Sequence, residues 1–220
     1  MLTVNTELIR SLVGFVKAEE QARQIARSSM SPDDAYYRAT FHDTPLTNEL
    51  YLLVLLFLWH DIEKEMLLLA ARSTAQNTTP ISHDEYGKEI RRLASLKGEK
   101  IEKELRRLLP ALDAAAWKLL DVLRLLANSF KHNPFDKPSS ALLTKLGLGE
   151  NLNYASLSES GAIRFGLGKF LGINEEATFS EIVDAVCKRC SGIVLMLEAG
   201  TPLRSFEHAR VSLNPATFER

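Results

Sequence analysis

One ten-residue stretch, Leu123-Arg124-Leu125-Leu126-Ala127-Asn128-Ser129-Phe130-Lys131-His132, holds the residue types best suited to chemistry. Placed on a helix at about 100° per residue, with Arg124 at zero, Asn128 falls near +40°, His132 near +80°, Asp121 near +60° and Lys131 near −20°. Leu119, Val122, Leu123, Leu126 and Phe130 fall on the opposite side. One face is therefore core. The other is a compact row of acid, arginine, amide, lysine and histidine. Such a row suits phosphate chemistry, because arginine grips a phosphate through two parallel hydrogen bonds and histidine exchanges a proton near neutral pH. The simplest rival is a solvated helix face. Two residues argue against it: Asn128 and Ser129 are poor mid-helix choices, since their side chains compete for backbone hydrogen bonds.

With Pro138-Ser139-Ser140-Ala141-Leu142 following it, the segment from Arg124 to His132 resembles the motif helix of bacterial HEPN-type proteins. The resemblance covers about 20 residues and the general all-helical plan. It implies a helical bundle, often a homodimer, and metal-independent ribonuclease or toxin activity in stress-response, toxin–antitoxin or phage-defence systems. RNA and an antitoxin or other protein are then the implied partners, with no cofactor and no metal. By the same resemblance Arg124 and His132 are the catalytic pair. Arg124 would hold the scissile phosphate, and His132 would act as base on a ribose 2′-hydroxyl or as acid at the leaving oxygen. Asn128 and Lys131 would bind the substrate backbone. The chain departs from the family pattern in one respect: seven residues separate Arg124 from His132, where the family has four to six. That puts the two about 12 Å apart along the axis. A non-catalytic helical interaction module, docking through residues 50–59 or through the polar row, is the rival function.

Other motifs carry less. His42-Asp43, His60-Asp61 and His83-Asp84 invite comparison with HD-type metal phosphohydrolases, and Leu58-Trp59-His60-Asp61-Ile62-Glu63 is the nearest match. Yet Glu63 stands where that family has glycine, and His42 and His83 fall at expected helix edges. His60 reads more simply as a partly buried histidine bonded to a neighbour. Cys187-Lys188-Arg189-Cys190 is a lone CxxC inside an expected helix; with no second pair it reads as two small residues on a buried face. No phosphate-binding glycine loop or serine-hydrolase elbow is present.

The elements that must position these residues are helical. Leu8, Leu12, Phe15 and Val16 predict a helix from Thr3 to about Ser28. Ser31-Pro32-Asp33-Asp34 starts a short one to about His42. Thr44-Pro45 begins a third, to about Thr74, whose stretch Tyr51 to Trp59 is apolar all round; such a helix is central or forms a subunit interface. Ser82 and Glu85 form a capping box for a charge-rich helix to Leu109, supported by pairs such as Glu99–Lys103. Pro110 ends it, and Asp113 caps the helix at 114–132. Residues 133–137 read as a loop, and Pro138-Ser139-Ser140 starts a short helix to Leu146. Glycines 147, 149, 161, 166, 168 and 172 mark a looser region, in which 162–170 holds a short strand or nothing regular. Thr178 caps a last helix at about 179–198, and the tail from Gly200 is irregular.

The expected fold is therefore an all-α, up-and-down helical bundle over residues 1–135. A C-terminal helical extension, 136–220, packs on the same domain. With 220 residues the chain buries a sizeable core without staples. Twenty-seven basic residues against 28 acidic ones exclude bulk-charge coating of nucleic acid. The nine-residue apolar run is too short to span a membrane, for which about 20 are needed. With two cysteines and no recognisable signal peptide, the expected compartment is cytoplasmic.

Overall fold

The computed structural model describes residues 6–75, 77–132, 139–148, 159–174 and 177–207; the side chains of 6–7, 130–132 and 159–160 are outside that description. The expected loop at 133–137, Gly149 and the tail beyond 207 therefore lie outside the described residues. The fold is all-α. In chain order the helices are α1 (Thr6–Arg27), α2 (Pro32–Arg38), a π turn (Ala39–Asp43), α3 (Thr44–Arg72), α4 (His83–Ser95), α5 (Glu99–Leu108), α6 (Ala114–His132), α7 (Ser140–Lys145), α8 (Glu159–Leu171) and α9 (Phe179–Gly200). No helix among the described residues is long and apolar enough to cross a membrane. The chain groups into two compact units, residues 1–65 with 112–198, and residues 66–111 with 199–220.

In the first unit the core is built on α3, with Leu52, Leu55, Leu58 and Ile62 at most 2% exposed, and on the apolar faces of α6 and α9. Expected caps form as read. Ser31 accepts from the Asp34 N–H at 3.2 Å, Asp113 from the Ala116 N–H at 2.7 Å, and Ser139 from the Leu142 N–H at 3.3 Å. Thr178 goes further: it accepts from the Glu181 N–H at 3.3 Å while Glu181 accepts from the Thr178 N–H at 2.8 Å, a reciprocal box at the head of α9.

Two expected boundaries differ. No break separates His42 from Thr44, because the chain passes from α2 to α3 through the π turn, with the Thr44 N–H donating to the Ala39 carbonyl. Pro45 has no N–H and crowds the carbonyl four residues back, and a widened turn is one way for a helix to absorb that. Residues 162–170 hold neither a strand nor a loop but most of α8. Gly166 is a spacer: a Cβ there would fall 2.7 Å from Leu148 Cδ1 and 2.9 Å from Leu146 Cβ. Among the described glycines of this group, Gly147 and Gly172 adopt positive φ and act as turn residues.

The second unit shows a third difference. The expected helix from 83 to 109 is two, α4 and α5, parted at Gly98 with φ +58°. Its charges pair through Arg92 with Glu89 and Glu104, Arg106 with Glu102, and Arg107 with Glu104. Ser82 caps α4 as expected, but the Glu85 carboxylate turns to Arg204 at 3.0 Å. Arg204, 8% exposed at its side chain, also donates to the Thr79 carbonyl at 2.7 Å. Phe206 stacks on His83 with ring centroids 4.5 Å apart, and the Arg72 guanidinium lies over the Phe206 ring, 4.6 Å from its centroid. The irregular tail is thus tied down as far as 207, with isolated bridges at Ser73–Leu203 and Ile81–Phe206.

The glycine account gives a paired prediction. Gly166→Ala should cost about 1–3 kcal/mol by overpacking. Gly192→Ala, within α9 and with open space around its Cβ, should gain about 0.5–1 kcal/mol from helix propensity. Urea denaturation followed by circular dichroism reads both; shifts of the same sign would refute the spacer role.

Candidate functional site

Helix α6 divides in part as its sequence periodicity predicts. Leu119, Val122, Leu123 and Leu126 on the far side are buried, but burial also reaches the polar side, where Trp117, Leu120 and Ala127 are 7%, 2% and 3% exposed; Asn128 is exposed there and Arg124 keeps 30% of its side chain accessible. Asp121 is the hub of the polar face. Its Oδ1 accepts from Arg124 Nη2 at 2.5 Å, and its Oδ2 pairs with Lys145 Nζ, from the end of α7, at 2.8 Å. Burial disfavours the Asp121 carboxylate, but the bonds from Lys145 and Arg124 outweigh it and hold its pKa below the usual range. Arg124 is therefore oriented by a fixed acid. The trio carries two positive charges and one negative, leaving a net positive patch.

The arrangement brings Arg124 and Asn128 to one face, a single turn apart. Lys131 and His132 end the same helix, but their side chains lie outside the described residues. Ser129 has a structural use. Its hydroxyl donates to Ser139 Oγ at 3.3 Å and accepts from the Ser139 N–H at 3.4 Å, which docks the cap of α7 onto α6. Its presence in mid-helix is explained by that contact and is no sign of catalysis. Lys145 was not foreseen, since nothing in the spacing of residues 121 and 145 ties them together.

The remaining motifs resolve plainly. His60 is exposed, not partly buried, and sits 3.6 Å from Glu63. His42 is exposed and packs beside Tyr37. No group of three or more His, Cys, Asp or Glu residues converges among the described residues. Cys190 is buried and Cys187 partly so, and both are free thiols. Burial pushes the Cys187 pKa up to about 11 and that of Cys190 higher still. Protonated thiols are poor nucleophiles, so the pair packs as small apolar groups. They line a cleft of about 540 Å³ beside the Lys17–Asp184 ion pair.

A second cleft of about 680 Å³ was missed altogether. The π turn, the first turns of α3, α1 and the α8–α9 corner enclose it. Arg27 pairs with Asp43 on its wall, and Arg38 stands 3.7 Å from the same carboxylate. Thr47 and Asn48, each 7% exposed, line it too. The available signal was two polar residues just ahead of a leucine run, which read as ordinary helix-start residues.

The chain matches no protein-family model, no curated protein and no solved structure.

The Asp121 hub yields a pH test. A lowered folded pKa stabilises the native state above the unfolded value, near 3.9, and that contribution is lost as pH falls through the folded pKa. Asp121→Asn should therefore cost about 1–2 kcal/mol at pH 7. The gap from the wild type should begin to narrow below about pH 4 and go on closing as pH falls through the lowered folded pKa. Denaturation midpoints across pH 3–7 measure it, and a gap independent of pH would mean that packing, not charge, holds the hub.

Proposed function

We propose that the protein is a HEPN-like helical bundle that acts on RNA through the polar face of α6, by binding it or by metal-independent cleavage. The observation that carries the reading is the Arg124 guanidinium: accessible, held by Asp121, and part of a cluster whose net charge stays positive because Lys145 joins it. Only Nη2 is engaged with Asp121, so the remaining N–H donors of the guanidinium are available to a phosphate. Asn128 adds an amide one turn along, and His132 supplies the group for proton transfer. A stress-response, toxin–antitoxin or phage-defence role is consistent with such an activity.

Labelled total RNA incubated with the purified protein in EDTA tests this. Cleavage by the wild type, with a loss of about 100-fold or more in Arg124→Ala and His132→Ala, is the expected result. Circular dichroism must show both variants folded. Neither cleavage nor salt-dependent RNA retention by the wild type would end the RNA reading.

A second reading, self-association, has its own observation. Leu46, Leu53 and Phe57, 45%, 42% and 54% exposed, lie with Leu50 within about 60° on one side of α3. Four large apolar side chains in a row on a long helix suit pairing with a second copy. Sedimentation analysis should show a dimer that Leu53→Glu and Phe57→Glu convert to monomer. A wild-type monomer at high protein concentration would dismiss the idea.

A further inference from the structure

We propose that the cleft at the π turn is a binding site for a small carboxylate of amino-acid size, separate from the polar face of α6. Its volume, about 680 Å³, is within the span of small-molecule sites, roughly 300–1,000 Å³. The central observation is Asn48. It is 7% exposed, lines the cleft, and makes no hydrogen bond with any described residue. On a helical projection it falls on the same side of α3 as Leu52 and Leu55, which are 1% and 0% exposed. Its polar atoms are not sealed from solvent, since Arg23 Nη1 and Thr201 Oγ1 are the fully buried, unpartnered side-chain atoms among the described residues; the amide is open to the cleft, where a ligand can take the place of water. Thr47 beside it repeats the pattern.

Charge decides what that partner is. Asp43 is already matched by Arg27, with Arg38 nearby. Arg164 donates from Nη1 to the Ala177 carbonyl at 2.8 Å and has no carboxylate partner among the described residues. The head of the 22-residue α9, at Thr178 and Phe179, lines the same space, but its Thr178 and Glu181 N–H groups are already spent in the capping box and the Glu181 carboxylate meets its positive end, so the cation that counts is Arg164. The unmatched charge in the interior is thus positive. Glu20, exposed and accepting from the Tyr51 hydroxyl at 3.4 Å, limits the ligand to a single negative charge, because a doubly charged phosphate would be repelled. It also offers a place for an amine. Phe41, Pro45 and Phe179 provide apolar walls for the body of the ligand.

Thermal unfolding and titration calorimetry on the full chain test this, with 3-phenylpropionate, phenylalanine, phenethylamine and inorganic phosphate as probes at millimolar concentration. Both carboxylates should raise Tm and bind, and phenylalanine should bind more tightly than 3-phenylpropionate if Glu20 takes the amine. Equal binding would identify a plain carboxylic acid as the ligand type. Arg164→Gln keeps an N–H for the Ala177 carbonyl but removes the charge, and should weaken binding at least tenfold. Asn48→Leu should abolish binding while the protein stays folded by circular dichroism, because it removes the amide from the cleft wall and keeps the side chain's bulk. No response to either carboxylate, an equal response to phenethylamine, a response to phosphate alone, or undiminished binding by a folded Asn48→Leu would each overturn the assignment. RNA cleavage is not read in any arm, so the result stands apart from the α6 proposal.

Discussion

A helix that is apolar on most of its circumference has to be covered, and in the first unit α3 sets that demand. Tyr51, Leu52, Val54, Leu55, Leu58, Trp59 and Ile62 are all buried. At about 1.5–3 kcal/mol for each large side chain removed from water, this row is a dominant source of that unit's stability. Tyr51 shows how the covering is done. Its ring packs 5.6 Å from that of Phe179 at the head of α9, and its hydroxyl reaches Glu20 on α1. Burial raises its pKa, so the phenol stays protonated and remains a donor. What the neighbours leave uncovered is as informative: the strip from Leu46 to Phe57 faces solvent although nothing in its composition suits solvent.

The polar face of α6 depends on a weaker element. Helix α7 has six residues, far too few to persist alone in water. It is held by the Ser129–Ser139 contacts at its head and by burial of Leu142 and Leu143 beneath it. Only through that docking does Lys145 reach Asp121. The charge balance around Arg124 is therefore a consequence of packing elsewhere. A change that loosened α7 would remove a cation from the patch without touching α6.

How much of this was legible follows from the range of each interaction. Caps at Ser31, Ser82, Asp113, Ser139 and Thr178 act within three residues, so the sequence alone reveals them. The buried arc of α6 follows from helical periodicity. Helix α8 was hidden because glycine ordinarily breaks helices, whereas Gly166 is there to admit Leu146 and Leu148, a reason visible only once α7 and α8 are packed. The break at Gly98 was obscured by the charge pattern continuing across it. Within the site, the i,i+3 pair of Asp121 and Arg124 was within reach of a local reading. Lys145 and the cleft were not, since both require segments far apart in the chain to meet.

The two sites make opposite use of polar groups. At α6 the charges satisfy one another: Asp121 has two cations and Arg124 has an acid, so the face is stable without any ligand. An RNA phosphate arriving there would gain from the net positive charge and would share Arg124 with Asp121. The cost of orienting the guanidinium is already met in folding, which favours a transition-state contact over a loose ground-state one. In the cleft the reverse holds. Asn48 and Thr47, each 7% exposed, make no hydrogen bond with another described residue and keep their polar atoms open to the cleft. The two proposals thus rest on different physics: charge made ready in folding at α6, and polar groups left without a protein partner in the cleft.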